Sequence, residues 1–284
     1  MKKLLFIILF LFCLHASVFA QVKVIEIEEP INLTSQLDLV NPLSNDLQFA
    51  WYGKVGQTTS IVDLSQYHNY GIINGATWQG KSLYFDGTDD NIALNGTASG
   101  NLDIIGTGIT LIVKIRFDTN NLTVNYIDKR GGANADSYRL LRSANNLRFR
   151  LTTSLGTTNH QTSVLAPDIW YVTAATYDGA FMRNYIDGLL DGSPTARTGT
   201  ITSSALDVAI GSTAEDQTNA EHLGHIEYVL IYDRALNASE IKQLYRDPTA
   251  PFITKRDLFV TVEEAIDGTI YNIFNSILQG GVIR

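Results

Sequence analysis

Cysteine is nearly absent: the 284 residues contain one, Cys13. It lies in an apolar N-terminal run, so once that run is removed the chain has no disulfide, no thiol chemistry and no cysteine-held zinc. Long hydrophobic runs are also missing, since nothing after Leu14 approaches the roughly 20 apolar residues needed to cross a bilayer as a helix. No membrane span is therefore expected in the mature chain. Dense basic blocks are lacking as well. With 21 Lys and Arg against 29 Asp and Glu the net charge is −8, which argues against nucleic acids and anionic lipid surfaces as partners. No Gly-x-Ser-x-Gly elbow, His-Glu-x-x-His helix or Gly-rich phosphate loop occurs. His68, His160, His222 and His225 lack metal-ligand spacing.

What is present begins with Lys2 and Lys3, an apolar run from Leu4 to Leu14, and Ala16-Ser17-Val18-Phe19-Ala20. This is the pattern of a signal peptide over residues 1–20, cleaved after Ala20, and it predicts a secreted protein. The bulky Phe12 before Cys13 argues against a lipidated signal. Loss of Lys2 and Lys3 leaves 19 basic against 29 acidic residues, a charge of −10. Residues 21–46, with Pro30 and Pro42, read as a leader or linker that contains one short β-prone run, Val22 to Ile27.

From Leu47 onward, short apolar or alternating runs recur between Gly, Asn, Asp and Ser clusters, the pattern of an all-β domain. Eleven strands are predicted: Leu47–Tyr52, Ser82–Asp86, Asn91–Leu94, Ile109–Phe117, Val124–Lys129, Ser137–Arg142, Asn146–Thr152, Trp170–Tyr177, Phe181–Asp187, Ala205–Ile210 and Gly224–Asp233. Ser143-Ala144-Asn145-Asn146 and Tyr177-Asp178-Gly179-Ala180 are hairpin turns, and connections this short force antiparallel pairing. One helix follows, Ser239 to Tyr245, with Asn237 as its N-cap and Pro248 beyond its end. Arg148 and Arg150 share one face of a strand whose other face carries Leu147, Phe149 and Leu151. Alternating arginines suit an acidic sugar or a phosphate, but a half-solvated sheet gives the same pattern, and that reading is preferred.

The motifs also occur in a telling order. Trp51-Tyr52-Gly53 is followed by Val62-Asp63-Leu64-Ser65, Tyr84-Phe85-Asp86-Gly87 and Ile109 to Lys114. Then come Trp170 to Gly179, Tyr185-Ile186-Asp187-Gly188, Val208 to Gly211, and Gly224 through Ala235-Leu236 to Tyr245. Over Leu47 to Arg246 this series resembles the laminin G-like group of the concanavalin A-like lectin and glucanase superfamily. The resemblance implies a jelly-roll sandwich over residues 47–250, two curved antiparallel sheets with one closing helix.

The resemblance also implies candidate sites. Relatives often hold a structural calcium, and the matching carboxylates here are Asp63, Asp86 and Glu227. The sequence departs from the family pattern where relatives often show Ile-Asp-Asp-Val, because it has Ile226-Glu227-Tyr228-Val229. Carbohydrate binding is implied too. Trp78, beside Gly75 and Gly80, is the candidate stacking platform, with Asn159 and His160 in the polar Thr152–Thr162 loop as further ligand-binding candidates. Trp170, followed by Val172 and Ala174 at strand spacing, reads instead as core. The glucanases of the superfamily place acids at alternating positions on one strand, and no Glu-x-Asp-x-x-Glu is found. A non-catalytic binding module is the leading expectation.

The tail, residues 251–284, lies outside the resemblance. Val262, Ala265, Ile266, Ile270, Ile273, Phe274, Ile277 and Leu278 recur at helical spacing, while strands over Asp257–Val262 and Thr269–Phe274 remain an alternative. The competing function is a structural or adhesive component of a surface or particle assembly that self-associates through this tail, and a third is a divergent polysaccharide-active enzyme.

Overall fold

The computed structural model describes residues 22–28, 36–53, 59–95, 100–119, 123–131, 136–214, 220–253 and 256–262. The expected signal segment and the tail beyond Val262 lie outside the described residues. The chain divides into two compact units, Pro30–Thr254 and a smaller one made of Met1–Glu29 with Lys255–Arg284.

In chain order the first strands are β1 (Val22–Glu28), β2 (Gln36–Leu37), β3 (Leu47–Tyr52), β4 (Ser60–Val62), β5 (Tyr70–Asn74), β6 (Thr77–Gln79) and β7 (Ser82–Asp86). Next are β8 (Asn91–Asn95), β9 (Ile109–Phe117), β10 (Val124–Arg130), β11 (Asp136–Ser143), β12 (Asn146–Thr153), β13 (Gly156–Val164) and β14 (Tyr171–Tyr177). The last are β15 (Phe181–Ile186), β16 (Leu189–Ala196), β17 (Val208–Ile210), β18 (Leu223–Tyr232), helix α1 (Ala238–Arg246), β19 (Phe252–Ile253) and β20 (Arg256–Val262).

The larger unit is a sandwich of two antiparallel sheets. The first runs β13-β12-β11-β10-β17-β8-β5-β4 and the second β16-β15-β14-β9-β18-β7-β6. Strand β18 is the axis of the second sheet. It pairs with β9 along one edge, and along the other with β7 through Leu223–Ile226 and then with β3 through Tyr228–Tyr232. Strand alternation fills the space between the sheets: Tyr138, Leu140, Leu147, Phe149 and Leu151 from the first meet Leu111, Val113, Ile115, Phe117, Val229 and Ile231 from the second, all fully buried.

A second apolar layer lies outside the second sheet. There Ile112, Val172, Ala174, Tyr185, Tyr228, Leu230 and Tyr232 are covered by Leu236, Ile241 and Leu244 of the α1 segment and by Leu43, Leu47 and Phe252. Helix α1 starts as its sequence predicts. The Asn237 side chain accepts from the Ser239 and Glu240 amides, and the Glu240 carboxylate accepts from the Asn237 amide, which completes a capping box. The segment ahead of Leu47 contributes to the same layer. Leu43 is buried, the Ser44 hydroxyl donates to the Pro251 carbonyl, and the Asn41 amide nitrogen to that of Ala250. No described helix is long and apolar enough to cross a membrane.

The 143–146 hairpin places Ala144 at φ 48° and Asn145 at φ 73°, the mirror-image turn that matches strand twist. The arginines divide. Arg148 and Arg150 face outward opposite Gln161 and Asn159, the half-solvated face read from sequence. Arg142 is fully buried, with its guanidinium 3.9 Å above the Phe117 ring. The segment read as the Thr152–Thr162 loop is largely the edge strand β13. Most of its side chains are exposed, so it carries no apolar alternation. In the smaller unit β1 and β20 pair antiparallel, from Val22 opposite Val262 to Glu28 opposite Arg256.

Candidate functional site

The outer face of the second sheet is only half covered. Beyond the α1 layer, the outward positions of β7, β18 and β9 hold large polar and aromatic side chains, of which Ser82 and His225 are buried and Tyr84 is half-buried. Register places Tyr84 opposite His225 and His225 opposite Arg116, with Thr77 of β6 opposite Tyr84. These side chains therefore form one row across four strands. The Tyr84 and His225 rings lie 5.0 Å apart. Trp170, immediately before β14, brings its ring to 5.8 Å from His225 and is 37% exposed.

Charged groups frame this platform. Lys114 Nζ is 2.7 Å from a Glu227 carboxylate oxygen and 5.3 Å from the centroid of the Trp170 ring. Arg116 Nη2 lies 3.0 Å from Asp168 and 3.6 Å from Asp118. Burial and then the Arg116 charge hold the His225 imidazole below its usual pKa, against the pull of Asp118, so it is neutral at neutral pH. The Tyr84 hydroxyl is pushed up by burial and then by Asp118. The Ser82 hydroxyl stands 3.0 Å from His225 Nδ1 and donates to the Gln79 carbonyl at 3.1 Å. The platform can stack on an apolar ring face and hydrogen-bond at its rim.

The residues proposed from sequence fall in several places. Trp78 of β6 packs inward, its ring 6.3 Å from that of the fully buried Trp51. His160 of β13 is buried, with Nδ1 2.8 Å from the Thr195 hydroxyl of β16, while its neighbour Asn159 is exposed. Strand β6 ends the second sheet at the edge opposite β16, so Trp78 is separated from Asn159 and His160 by the width of the sandwich. Trp170 reverses the core reading. It shares the outward side with Val172 and Ala174, as the spacing indicates, but the core those two join is the outer layer, which stops short of position 170. The tool for finding Tyr84, Lys114 and Arg116 was in the sequence, since each alternates with buried apolar residues. Their juxtaposition was not, because it depends on pairing between strands distant along the chain.

The three carboxylates proposed for calcium are also separate. Asp63 is saturated: it accepts from the backbone amides of Ala50, Ser65 and Asn69, the Ser65 hydroxyl and the Asn69 side-chain amide, all at 2.7–2.9 Å. It clasps the 63–69 turn to β3. Glu227 is engaged with Lys114. Asp86 instead joins Asp89 and Asp90, ligand atoms of the three lying within 4.8 Å of one another. Asp90 is raised above the usual carboxylate range by burial, against a hydrogen bond from the Asp86 amide and with repulsion from Asp86 and Asp89. Such oxygens are hard donors, and a bound cation would relieve their repulsion, so these residues fit a metal of the calcium type.

A family model described as the concanavalin A-like lectin/glucanases superfamily matches residues 85–242. No match was found among curated proteins. Among solved structures, a Trypanosoma rangeli sialidase in complex with the inhibitor DANA superposes with a TM-score of 0.54 at 16% identity, covering 69% of this chain and 32% of that one. The binding domain of Paraclostridial Mosquitocidal Protein 1 gives 0.56 at 18% identity, with 72% and 52% covered. The botulinum neurotoxin serotype D ligand-binding domain in complex with N-acetylneuraminic acid gives 0.55 at 12%, with 72% and 51%. The chain spans about a third of the sialidase and about half of each toxin domain. At these identities the likeness establishes the fold.

Proposed function

Because the chain belongs to the concanavalin A-like lectin/glucanases superfamily, we propose that it is a secreted, non-catalytic carbohydrate-binding module whose ligand lies on the Trp170–His225–Tyr84 platform. The observation that carries this reading is the exposed Trp170 ring, backed by the buried His225 ring at 5.8 Å, which in turn lies 5.0 Å from the half-buried Tyr84 ring, the group being rimmed by Lys114, Arg116 and Glu227. A pyranose offers one apolar C–H face and a belt of hydroxyls, which matches such a surface. One of the structural neighbours, the neurotoxin ligand-binding domain, was solved with N-acetylneuraminic acid, which supports a glycan ligand. The Lys2–Ala20 pattern supports export.

Binding of the full mature chain to a glycan array, followed by titration of the best ligand, tests the proposal. Trp170→Ala should weaken that binding by a factor of ten or more, on the order of 1–3 kcal/mol for an aromatic stacking contact, while Trp78→Phe should leave it unchanged. Equal affinities for the wild type and Trp170→Ala would end the assignment. Calcium is proposed at Asp86, Asp89 and Asp90, where it would reinforce the β7–β8 turn. The melting temperature should then rise when calcium replaces a chelator, and Asp89→Asn should abolish the rise; superimposable melts would remove calcium from the description.

A second reading, assembly, is favoured by the pairing of β1 with β20 outside the sandwich. A two-stranded ribbon is marginally stable alone, so completion by another copy of the chain would explain why the two ends are joined.

A further inference from the structure

The cations at the platform are already spent. Lys114 is held at 2.7 Å by Glu227, and Arg116 at 3.0 Å by Asp168 with Asp118 at 3.6 Å, so three carboxylates face two basic groups. The whole chain carries −8. A ligand bearing a carboxylate would meet this field and would have to break an existing ion pair to gain a new one. A ligand with hydroxyls alone meets donors and acceptors without that cost. The exposed ring of Trp170 serves either ligand equally, so charge decides between them.

Resting on the carbohydrate reading of this platform, we infer that its ligands are neutral sugars and that it discriminates against acidic sugars, because each of its basic groups is neutralised by an adjacent carboxylate. This separates the chain from a simple transfer of the ligand seen in the neurotoxin domain. It also identifies Asp168 as a specificity-determining residue. Asp168 is exposed, with 65% of its side chain accessible, and its carboxylate meets the platform at Arg116.

The test uses an array of matched oligosaccharides, each present with and without a terminal carboxylated sugar, probed with the full mature chain in calcium-containing buffer. The expected result is at least tenfold stronger binding to the neutral member of each pair, lost in Trp170→Ala. Asp168→Asn, which suits the positive φ of 61° at that position, should raise binding to the acidic member severalfold relative to the neutral one, by leaving Arg116 with Asp118 alone as its carboxylate partner. Preference for the acidic members that is lost in Trp170→Ala would overturn the neutral-sugar inference while leaving the platform as the glycan site. Binding that is indifferent to Trp170→Ala, or no binding to any member, would overturn both. An Asp168→Asn variant with an unchanged neutral-to-acidic ratio would remove Asp168 from the specificity argument and with it the charge mechanism.

Discussion

Two buried ionisable residues bear opposite relations to pH. Asp128 of β10 is wholly inaccessible, and the Arg139 guanidinium is 3.7 Å away. Burial, only partly offset by Arg139 and Arg130, pushes its carboxyl up to about 6. A folded-state value above the unfolded value of about 3.9 means that the folded protein binds the proton first. Stability from this group therefore increases as pH falls through 6 and is fully gained below about 4. Asp128→Asn should stabilise the protein at pH 7 by roughly 3 kcal/mol, the energy of about two pKa units, and the gain should vanish near pH 4. Urea unfolding of both proteins at the two values checks this, and a constant difference across pH would contradict it. His222 acts in the other sense. Burial lowers it to about 3, so its contribution is lost as pH falls below the unfolded value near 6.5. It is the same in both proteins and cancels in the comparison.

At the scale of elements, the capping box offers a sharp test. Asn237→Ala removes the acceptor for the Ser239 and Glu240 amides and should cost about 1 kcal/mol, read as a lower melting temperature with glycan affinity unchanged. The box, like the 143–146 turn and all eleven predicted strands, was legible because local chemistry determines it. What was not legible has a physical cause in each case. Strand β13 and strand β16, which contains Gly192 and Pro194, are sheet edges; an edge tolerates proline and needs no alternating apolar face. Strands β4, β5 and β6 are three to five residues long, below the length at which periodicity stands out. The site itself was obscured for a different reason. Trp78 faces inward against Trp51, between the sheets, whereas Trp170 faces outward, where the layer that includes α1 stops short of it, and neither outcome can be read from the residues next to each tryptophan.

For the whole molecule, the question is what the paired ends do. Pro251 and Phe252 belong to the sandwich, where the Pro251 carbonyl accepts from Ser44 and Phe252 packs against Tyr52 at 5.8 Å. Truncation after Thr254 should therefore leave the melting temperature of the sandwich and its glycan affinity intact. If the β1–β20 ribbon mediates assembly, the same truncation should lower the mass seen by light scattering to that of a monomer. An unchanged mass would assign the ribbon a role within a single chain.

The platform row is drawn from residues 84, 116 and 225, yet none of the three sits on a flexible excursion. Each is an outward position of a strand whose inward neighbours, Phe85, Ile115 and Ile226, are fully buried between the sheets. A slip of one residue in any of these pairings would bury the charged members and expose the apolar ones. The strand part of the proposed recognition surface thus takes its rigidity from the interior, while Trp170 and Asp168, in the turn ahead of β14, are the part that a change of loop would move.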